Sequence, residues 1–157
     1  MAKSTIVTSS WYTQLPAADL FTSAPASYCR IGISRGTPRG QSGFRMYRKL
    51  QPAQGTLKLP AAEFTSNYLR QVLGKLDAQQ AVNELLAIAD GRIVALCCFE
   101  HAHSDAWCHR AIVSAWFEAE IGLEVPEYGR EADGCGIDHP KLCPEARAFL
   151  SRHRGGR

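Results

Sequence analysis

The stretch "RIVALCCFEHAHSDAWCHRAIVSAWFEAEI", residues 92–121, determines the fold that we predict for this chain. Its first part, "RIVALCCF", is a continuous apolar run, which is typical of a parallel strand covered on both faces. From Ala106 to Ile121 apolar residues recur at helical spacing, and Gly122 then supplies a common helix end. The stretch therefore predicts a buried strand, a loop that starts at Glu100, and a helix.

The flanking segments continue this alternation of strands and helices. Strands are predicted in "STIVTSSWY" and "SYCRIGIS", with a further short strand in "LEVPEY". Helices are predicted in "PAADLFTSA", along the four-residue spacing from Phe64 to Leu76, and from the N-cap Asp77 to the stop at Gly91. We therefore expect one α/β domain over residues 1–157, a single compact domain with a largely parallel sheet flanked by helices in a Rossmann-like three-layer arrangement.

The C-terminal segment, about residues 129–157, differs in composition from the rest of the chain. It is rich in Gly, Pro and charged residues and ends in "RHRGGR". We expect this segment to be irregular and its end to be frayed.

The positive charge is concentrated in one part of the chain. The net charge is only +3, but no acidic residue occurs between Asp19 and Glu63. The basic residues in that interval are Arg30, Arg35, Arg39, Arg45, Arg48, Lys49 and Lys58. Such a segment indicates a face that attracts anions, for example phosphate or nucleic acid, and the alternative is a solvated basic surface. The candidate anion-binding residues are Ser34, Arg35, Arg39, Arg45 and Arg48.

The N-terminus gives no indication of export. "MAKSTIVTSSWYTQL" lacks the apolar core of a signal peptide. No apolar run approaches the roughly 20 residues that span a bilayer. We expect a cytoplasmic protein without a membrane partner, in which the six cysteines are mostly reduced thiols.

The reactive side chains cluster around the predicted strand end. In parallel sheets, sites form beyond the carboxyl ends of the strands. Cys98 and Glu100 lie at that end of the strand, and Cys108, His109 and Arg110 lie at the start of the next helix. With Asp105 or Ser104 as the N-cap, Cys108 falls in the first turn, where the positive helix end and nearby cations favour the thiolate.

This constellation suggests a cysteine-centred reaction. Cys108 is the candidate nucleophile or redox thiol, Glu100 and His109 are candidates for proton transfer, and Arg110 for holding an anion. In another version Cys98 and Cys108 form a redox pair. The structural alternatives are buried core cysteines, above all Cys97, and a surface salt bridge from Arg110 to Glu118 or Glu120. The arginine loop of cysteine phosphatases, the zinc deaminase pattern, the P-loop and the dinucleotide loop are absent.

Two segments together resemble a known family. "RIGISRGTPRG" and, much later, "VALCCFEHAHSDAWCHRAIVSAW" are similar to the bacterial and phage proteins grouped as domain-of-unknown-function family 488. The matching positions are Ser34, Arg35, Gly36 and Pro38, then Cys98, Glu100, Cys108, His109 and Arg110. The likeness extends roughly from Tyr12 to Glu127. It implies a compact α/β fold and one site shared by the two motifs, including Arg35, and it implies no particular activity.

A second cluster raises the question of a metal. Cys135, His139 and Cys143 are spaced four apart, and His101 or His103 offers a fourth ligand for tetrahedral zinc. The alternative is a scattered set of loop residues.

Three functions follow from these observations. The first is an enzyme with a cysteine-centred site for an anionic small molecule, a nucleotide or a nucleic acid. The second is a nucleic-acid-binding accessory protein that uses the basic segment 30–58, with Phe44 and Tyr47 as stacking surfaces. The third is a small interaction protein with structural cysteines, stapled by zinc at Cys135 and Cys143. The sequence indicates neither the substrate nor the oligomeric state.

Overall fold

A computed structural model describes residues 5–15, 28–38 and 45–154 of the chain. Within these ranges a four-stranded sheet has the order β1-β4-β2-β3, and all of its pairings are parallel. The strands are β1 (Ile6–Ser10), β2 (Tyr28–Gly32), β3 (Arg45–Met46) and β4 (Ile93–Cys98). The predicted α/β fold with a parallel sheet is confirmed.

Four helices accompany the sheet in the described ranges. They are α1 (Ala61–Gln71), α2 (Ala78–Ala89), α3 (His109–Ile121) and α4 (Pro144–Arg154). Short 3₁₀ turns occur at Arg48–Leu50, Leu73–Lys75, Glu131–Asp133 and Gly136–Asp138. As predicted, the Asp77 side chain caps α2 by accepting a 2.8 Å hydrogen bond from the Gln80 N–H.

The β4 strand is the centre of the fold. It pairs with β1 on one side and with β2 on the other, so its register is fixed from both directions. Successive side chains of a strand point to opposite faces, and both faces of β4 are buried, as its apolar run predicted. One face packs against α2 and α3 through Val94, Leu96 and Cys98. The other face joins a smaller cluster with Trp11.

Two predicted helix boundaries were wrong. The helix expected to run from Phe64 to Leu76 ends at Gln71, and the 3₁₀ turn Leu73–Lys75 follows it. The helix expected from about Ala106 begins at His109. Cys108 is itself the N-cap, with an extended backbone at φ −143° and ψ 145°, and its N–H donates to the Lys141 carbonyl at 3.0 Å. Neither Asp105 nor Ser104 therefore caps this helix.

The C-terminal third also differs from the prediction. "LEVPEY" forms two isolated bridges, Thr8 with Glu127 and Pro126 with Cys135, and no named strand. The segment expected to be irregular contains α4, which packs against α1. The helix predicted in "PAADLFTSA" and the end predicted to be frayed, residues 155–157, lie outside the described residues.

The structure offers no helix for crossing a membrane in the described ranges, because none there is both long and apolar enough.

We expect Gly32→Ala to lower the free energy of unfolding by about 1–3 kcal/mol, because overpacking a filled core forces neighbours to move. A Cβ at Gly32 would clash with the side chains of Met46 and Trp11. Gly36→Ala is the matched control, since a Cβ there meets nothing within 4 Å. Urea denaturation of both variants provides the measurement. Equal midpoints for the two variants would contradict the packing at Gly32.

Candidate active site

The candidate site lies at the carboxyl ends of two central strands, where parallel sheets usually bind ligands. Cys98 is the last residue of β4, and Ile33 directly follows β2. Cys108 caps α3, so its side chain lies at the positive end of a 13-residue helix. The fold thus brings the end of β2 next to a strand end and a helix start that lie more than 60 positions further along the chain.

Two thiols and an imidazole form the centre of the site. The sulfurs of Cys98 and Cys108 and a ring nitrogen of His109 all lie within 4.8 Å of one another. Both thiols are only 1% exposed and His109 is 7% exposed. Cys97 points to the other sheet face and is fully buried there, as the core alternative predicted.

A backbone carbonyl orients the His109 ring. Nε2 lies 2.9 Å from the Ile33 carbonyl oxygen, which can only accept, so Nε2 carries a proton. The other ring nitrogen, Nδ1, lies 3.8 Å from the Cys98 sulfur and 3.9 Å from the Cys108 sulfur. The rings of Tyr68 and Phe64 enclose the imidazole at centroid distances of 5.5 and 6.3 Å. The Nδ1 atom of His109 therefore faces both sulfurs.

Arg110 is neutralised by Glu127 through a buried pair with two hydrogen bonds. Its Nε and Nη2 donate to the Glu127 carboxylate at 2.9 and 2.7 Å, and both side chains are fully buried. The alternative of a surface salt bridge to Glu118 or Glu120 was therefore wrong. The third nitrogen, Nη1, is buried without a hydrogen-bond partner and lies 4.0 Å from the Glu100 carboxylate.

The pKa values of the Cys98 and Cys108 thiols are shifted in opposite directions. Burial alone would raise the pKa of the Cys108 thiol, but the hydrogen bond from Cys98, the charge of Arg110 and the hydrogen bond with His109 lower it well below its usual value. Burial, followed by the interaction with Cys108, raises the pKa of Cys98 well above its usual value. These shifts favour the thiolate on Cys108 and the thiol on Cys98.

Glu100 is the solvent-facing member of the site. Its side chain is 38% exposed, whereas Arg110, Cys98 and Cys108 are almost wholly buried. Burial, reinforced by the charge of Cys108, raises the pKa of the Glu100 carboxyl to about 7. Near neutral pH this carboxyl therefore exists in both protonation states, as a general acid or base requires.

A second layer of polar groups supports Glu127. Thr8 Oγ1 donates to its carboxylate at 2.7 Å, and His139 Nε2 lies 2.7 Å from the same hydroxyl. The Lys141 N–H donates to His139 Nδ1 at 3.0 Å, so the proton of the neutral ring is on Nε2. Burial lowers the pKa of His139 to about 4, which keeps this ring neutral.

Lys141 holds the loop that leads into the site. Its side chain donates to the carbonyls of His101 and Ser104 and to the Ser104 hydroxyl at 2.7, 2.7 and 3.1 Å. Its own carbonyl accepts from the Cys108 N–H. This one residue thus fixes both ends of the segment between β4 and α3.

The predicted anion-binding residues are only partly connected to the site. Ser34 accepts from the Trp11 indole and donates to the Gly36 carbonyl, and exposed Arg35 donates to the Pro52 carbonyl. The two motifs meet through the Ile33–His109 hydrogen bond, not through the Arg35 side chain. Arg45 and Arg48 are exposed, and Arg39 lies outside the described residues.

Two residues of the expected nucleic-acid-binding surface, Tyr47 and Lys49, interact with Glu84 instead. Tyr47 is 6% exposed and its hydroxyl donates to Glu84, so its ring is not free to stack on a base. Lys49 pairs with the same carboxylate at 2.9 Å. Phe44 lies outside the described residues. Nucleic-acid binding by this segment stays a prediction.

The predicted zinc ligands are not assembled. His139 is bonded to Thr8, Cys135 lies 3.9 Å from Glu118, and Cys143 accepts from the Ala146 N–H. In the described part of the chain, the Cys/His/acid group with metal-ligand spacing is instead Cys98, Cys108 and His109. The adjacent guanidinium of Arg110 disfavours a cation there and favours negative charge.

Sequence reasoning missed several supporting residues, namely Glu127, Thr8, His139 as a neutral hydrogen-bonding group, Lys141 and the Ile33 carbonyl. No sequence signal separates Glu127 from the other acids of the last third. The reason is that its role depends on a bridge to Thr8, 119 positions away in the chain.

We expect Glu127→Ala to reduce the free energy of unfolding by about 3–5 kcal/mol, because it leaves the Arg110 charge buried and unpaired. Asp133→Ala removes the partner of the exposed Arg130 pair and should cost at most about 1 kcal/mol. Chemical denaturation compares the two. Similar losses would show that the buried pair has no special weight.

We expect His139 to make the protein less stable as the pH falls below its ordinary pKa of 6.5. The unfolded chain takes up a proton there, whereas the folded chain does so only near pH 4, so the folded state binds fewer protons in that window. The loss is at most about 3 kcal/mol. It should be absent from His139→Gln, and unfolding curves of both proteins from about pH 7 to about pH 4 measure the difference. Parallel pH profiles would contradict the neutral assignment.

Comparison with known proteins identifies a family. A family model described as "Domain of unknown function DUF488" matches residues 24–117. The matched range contains Ser34, Arg35 and the Cys108-His109-Arg110 run, and it ends before Glu127. A search of curated proteins and a search of solved structures each found no match. Because the family model matches more than half of the 157 residues, the chain belongs to the family of the domain of unknown function DUF488.

Proposed function

We propose that this protein is an enzyme in which the Cys108 thiolate attacks an electrophile held against Arg110. The observation that carries this proposal is a buried Cys–Cys–His cluster together with a buried guanidinium nitrogen, Nη1 of Arg110, that has no hydrogen-bond partner. Buried polar atoms in native proteins are rarely left without a partner, so each exception calls for a physical explanation. A ligand oxygen would satisfy this nitrogen.

The activation of Cys108 follows from its surroundings. A thiolate, not a thiol, is the nucleophile, and helix N-termini and neighbouring cations favour it. Cys108 has both, because it caps α3 and interacts with the charge of Arg110. Burial alone would raise the pKa of Cys108 and lower the pKa of Arg110, which disfavours both charged forms. The negative charge of Cys108 and the positive charge of Arg110 stabilise each other and oppose this effect.

Arg110 supplies the electrostatic part of the mechanism. Glu127 fixes the guanidinium with two hydrogen bonds, so Nη1 needs no reorganisation to bind a developing negative charge. The ligand would therefore be anionic, or would carry an oxygen that becomes negative when Cys108 attacks. A nucleotide or other phosphorylated molecule stays a prediction from the basic segment.

Two groups can move the proton that this chemistry requires. The charge of Cys108 acts on the Glu100 carboxyl, which, with a pKa of about 7, can donate to a leaving group near neutral pH. His109 Nδ1 can accept a proton from a thiol, since Nε2 is held by Ile33. We assign Glu100 as the general acid because it is the group that faces solvent and hence an incoming ligand.

The depth of the site limits the ligand. With both sulfurs 1% exposed, the electrophile must be small or must be the narrow end of a larger molecule that enters past Glu100. A wider cleft of about 520 Å³ lies between α1, α3 and α4, with Leu69, Trp116 and Leu150 in its walls. The cleft is not lined by the side chains of the candidate site, namely Cys98, Glu100, Cys108, His109 and Arg110. We therefore do not assign the cleft to the reaction.

The test is the pH dependence of cysteine alkylation by iodoacetamide in the folded protein, resolved by peptide mass spectrometry. Cys135 is the internal control, because it is more exposed than Cys108 and burial raises its pKa. If exposure governed reactivity, Cys135 would react first. We expect Cys108 to react at least roughly tenfold faster than Cys135 at neutral pH, with a midpoint well below the usual ~8.5 of a free thiol.

Matched variants complete this experiment. Cys108→Ser should remove the reaction at low pH, and Cys135→Ser should leave it unchanged. If Cys108 reacts only after the protein unfolds, the thiol is a core group and the proposal is wrong.

A further inference from the structure

We infer that Cys98 and Cys108 act as a dithiol pair that reduces hydroperoxides to alcohol or water. This inference rests on the proposed function, because it requires the Cys108 nucleophile, and it adds the class of substrate and the role of the second thiol.

The position of Cys98 is the first argument. A transferase or hydrolase needs only one thiol, yet here a second thiol lies within 4.8 Å of the nucleophile and shares His109 with it. Cys98 remains protonated beside the Cys108 thiolate, since burial and that neighbour raise its pKa. It therefore does not compete for the electrophile, but it is available to attack Cys108 once that sulfur is oxidised.

The surroundings of the sulfurs are the second argument. Nη1 of Arg110 and the carboxyl of Glu100 lie 4.0 Å apart, so one small oxygen-bearing group can contact both. Next to the imidazole of His109, the rings of Phe64 and Trp107 make an edge contact at 5.2 Å. A polar donor pair and aromatic rings in the same site fit a hydroperoxide, which has two oxygens on a small or apolar group.

The first step transfers one oxygen to sulfur. The Cys108 thiolate attacks the terminal oxygen of R–O–O–H, an S–O bond forms, and the O–O bond breaks. The departing RO⁻ is stabilised by Arg110 Nη1 and takes the proton of Glu100, which gives ROH, the Cys108 sulfenic acid and the Glu100 carboxylate.

The second step converts the sulfenic acid into a disulfide and releases water. The Cys98 sulfur attacks the Cys108 sulfur, the S–S bond forms and the S–O bond breaks. The hydroxide leaves as water with the proton of Cys98, which His109 Nδ1 can relay. The sum is two thiols and ROOH giving a disulfide, ROH and water, and an external dithiol then reduces the disulfide. A disulfide needs an S–S distance of about 2.05 Å, so rotation of the two side chains must close the gap.

The experiment uses the full-length reduced protein and one equivalent of either hydrogen peroxide or cumene hydroperoxide. Cleavage after Glu100 separates Cys98 from Cys108, so a disulfide between them appears as two linked peptides in mass spectrometry. We expect this link, at a rate at least ~100-fold above that of the same chain unfolded in urea, and its reversal by dithiothreitol. Faster reaction with cumene hydroperoxide would identify organic hydroperoxides, and faster reaction with hydrogen peroxide the inorganic one.

Variants assign the two roles. Cys98→Ser should stop the reaction at a Cys108 sulfenic acid that dimedone traps, while Cys108→Ser should abolish peroxide consumption. Cys97→Ser is the matched control, because Cys97 adjoins Cys98 but lies on the opposite sheet face, and it should form the disulfide at the normal rate. Circular dichroism of each variant verifies that it is folded.

The outcomes separate this inference from the proposed function. If peroxide produces no Cys98–Cys108 disulfide although iodoacetamide still modifies Cys108 at low pH, the nucleophile stands and the peroxide reaction is wrong. If Cys108 is inert to both reagents, both proposals fail. Stoichiometric binding of added zinc that protects both thiols from iodoacetamide would overturn the dithiol role in favour of a metal site.

Discussion

The guanidinium of Arg110 is fully buried at the first turn of α3, and a charge in that position must be compensated. Glu127 does this with two hydrogen bonds, and the rest of the site depends on the result. Glu127 is held by Thr8 on β1, so the pair ties the helix to the edge strand β1, which lies on the other side of β4 from β2. The same pair turns the remaining nitrogen of Arg110 toward Glu100.

Much of the fold could be predicted from the sequence because its central strand is a continuous apolar run. The apolar run in β4 and the capped helix α2 follow from periodicity and from the Asp77 side chain, which are local signals. The wrong predictions followed local sequence signals that tertiary contacts override. Cys108 became the N-cap because the Lys141 carbonyl takes its N–H, and α4 forms in a segment of unfavourable composition by packing on α1.

The candidate site was likewise only partly predictable from the sequence. Cys98, Glu100, Cys108, His109 and Arg110 could be predicted together because two short segments carry all five and the strand-to-helix geometry brings those segments close. The groups that orient them could not. The Ile33 carbonyl is a backbone atom without a residue signature, and Glu127 acts through pairing with β1, which only the folded chain reveals. The family match likewise stops at residue 117, before Glu127 and Lys141.

The neighbouring cysteines of β4 also link the chemistry to the accuracy of strand pairing. Cys97 and Cys98 point to opposite sides of the sheet, and Cys97 has its own arginine, since Arg30 Nη1 lies 3.7 Å from its sulfur. A slip of one residue moves every side chain of a strand to the other face. A misaligned β4 would therefore bring a different thiol to His109 and move Cys98 away from Cys108. Parallel partners on both sides of β4 guard against that error, so the identity of the second thiol is decided during folding.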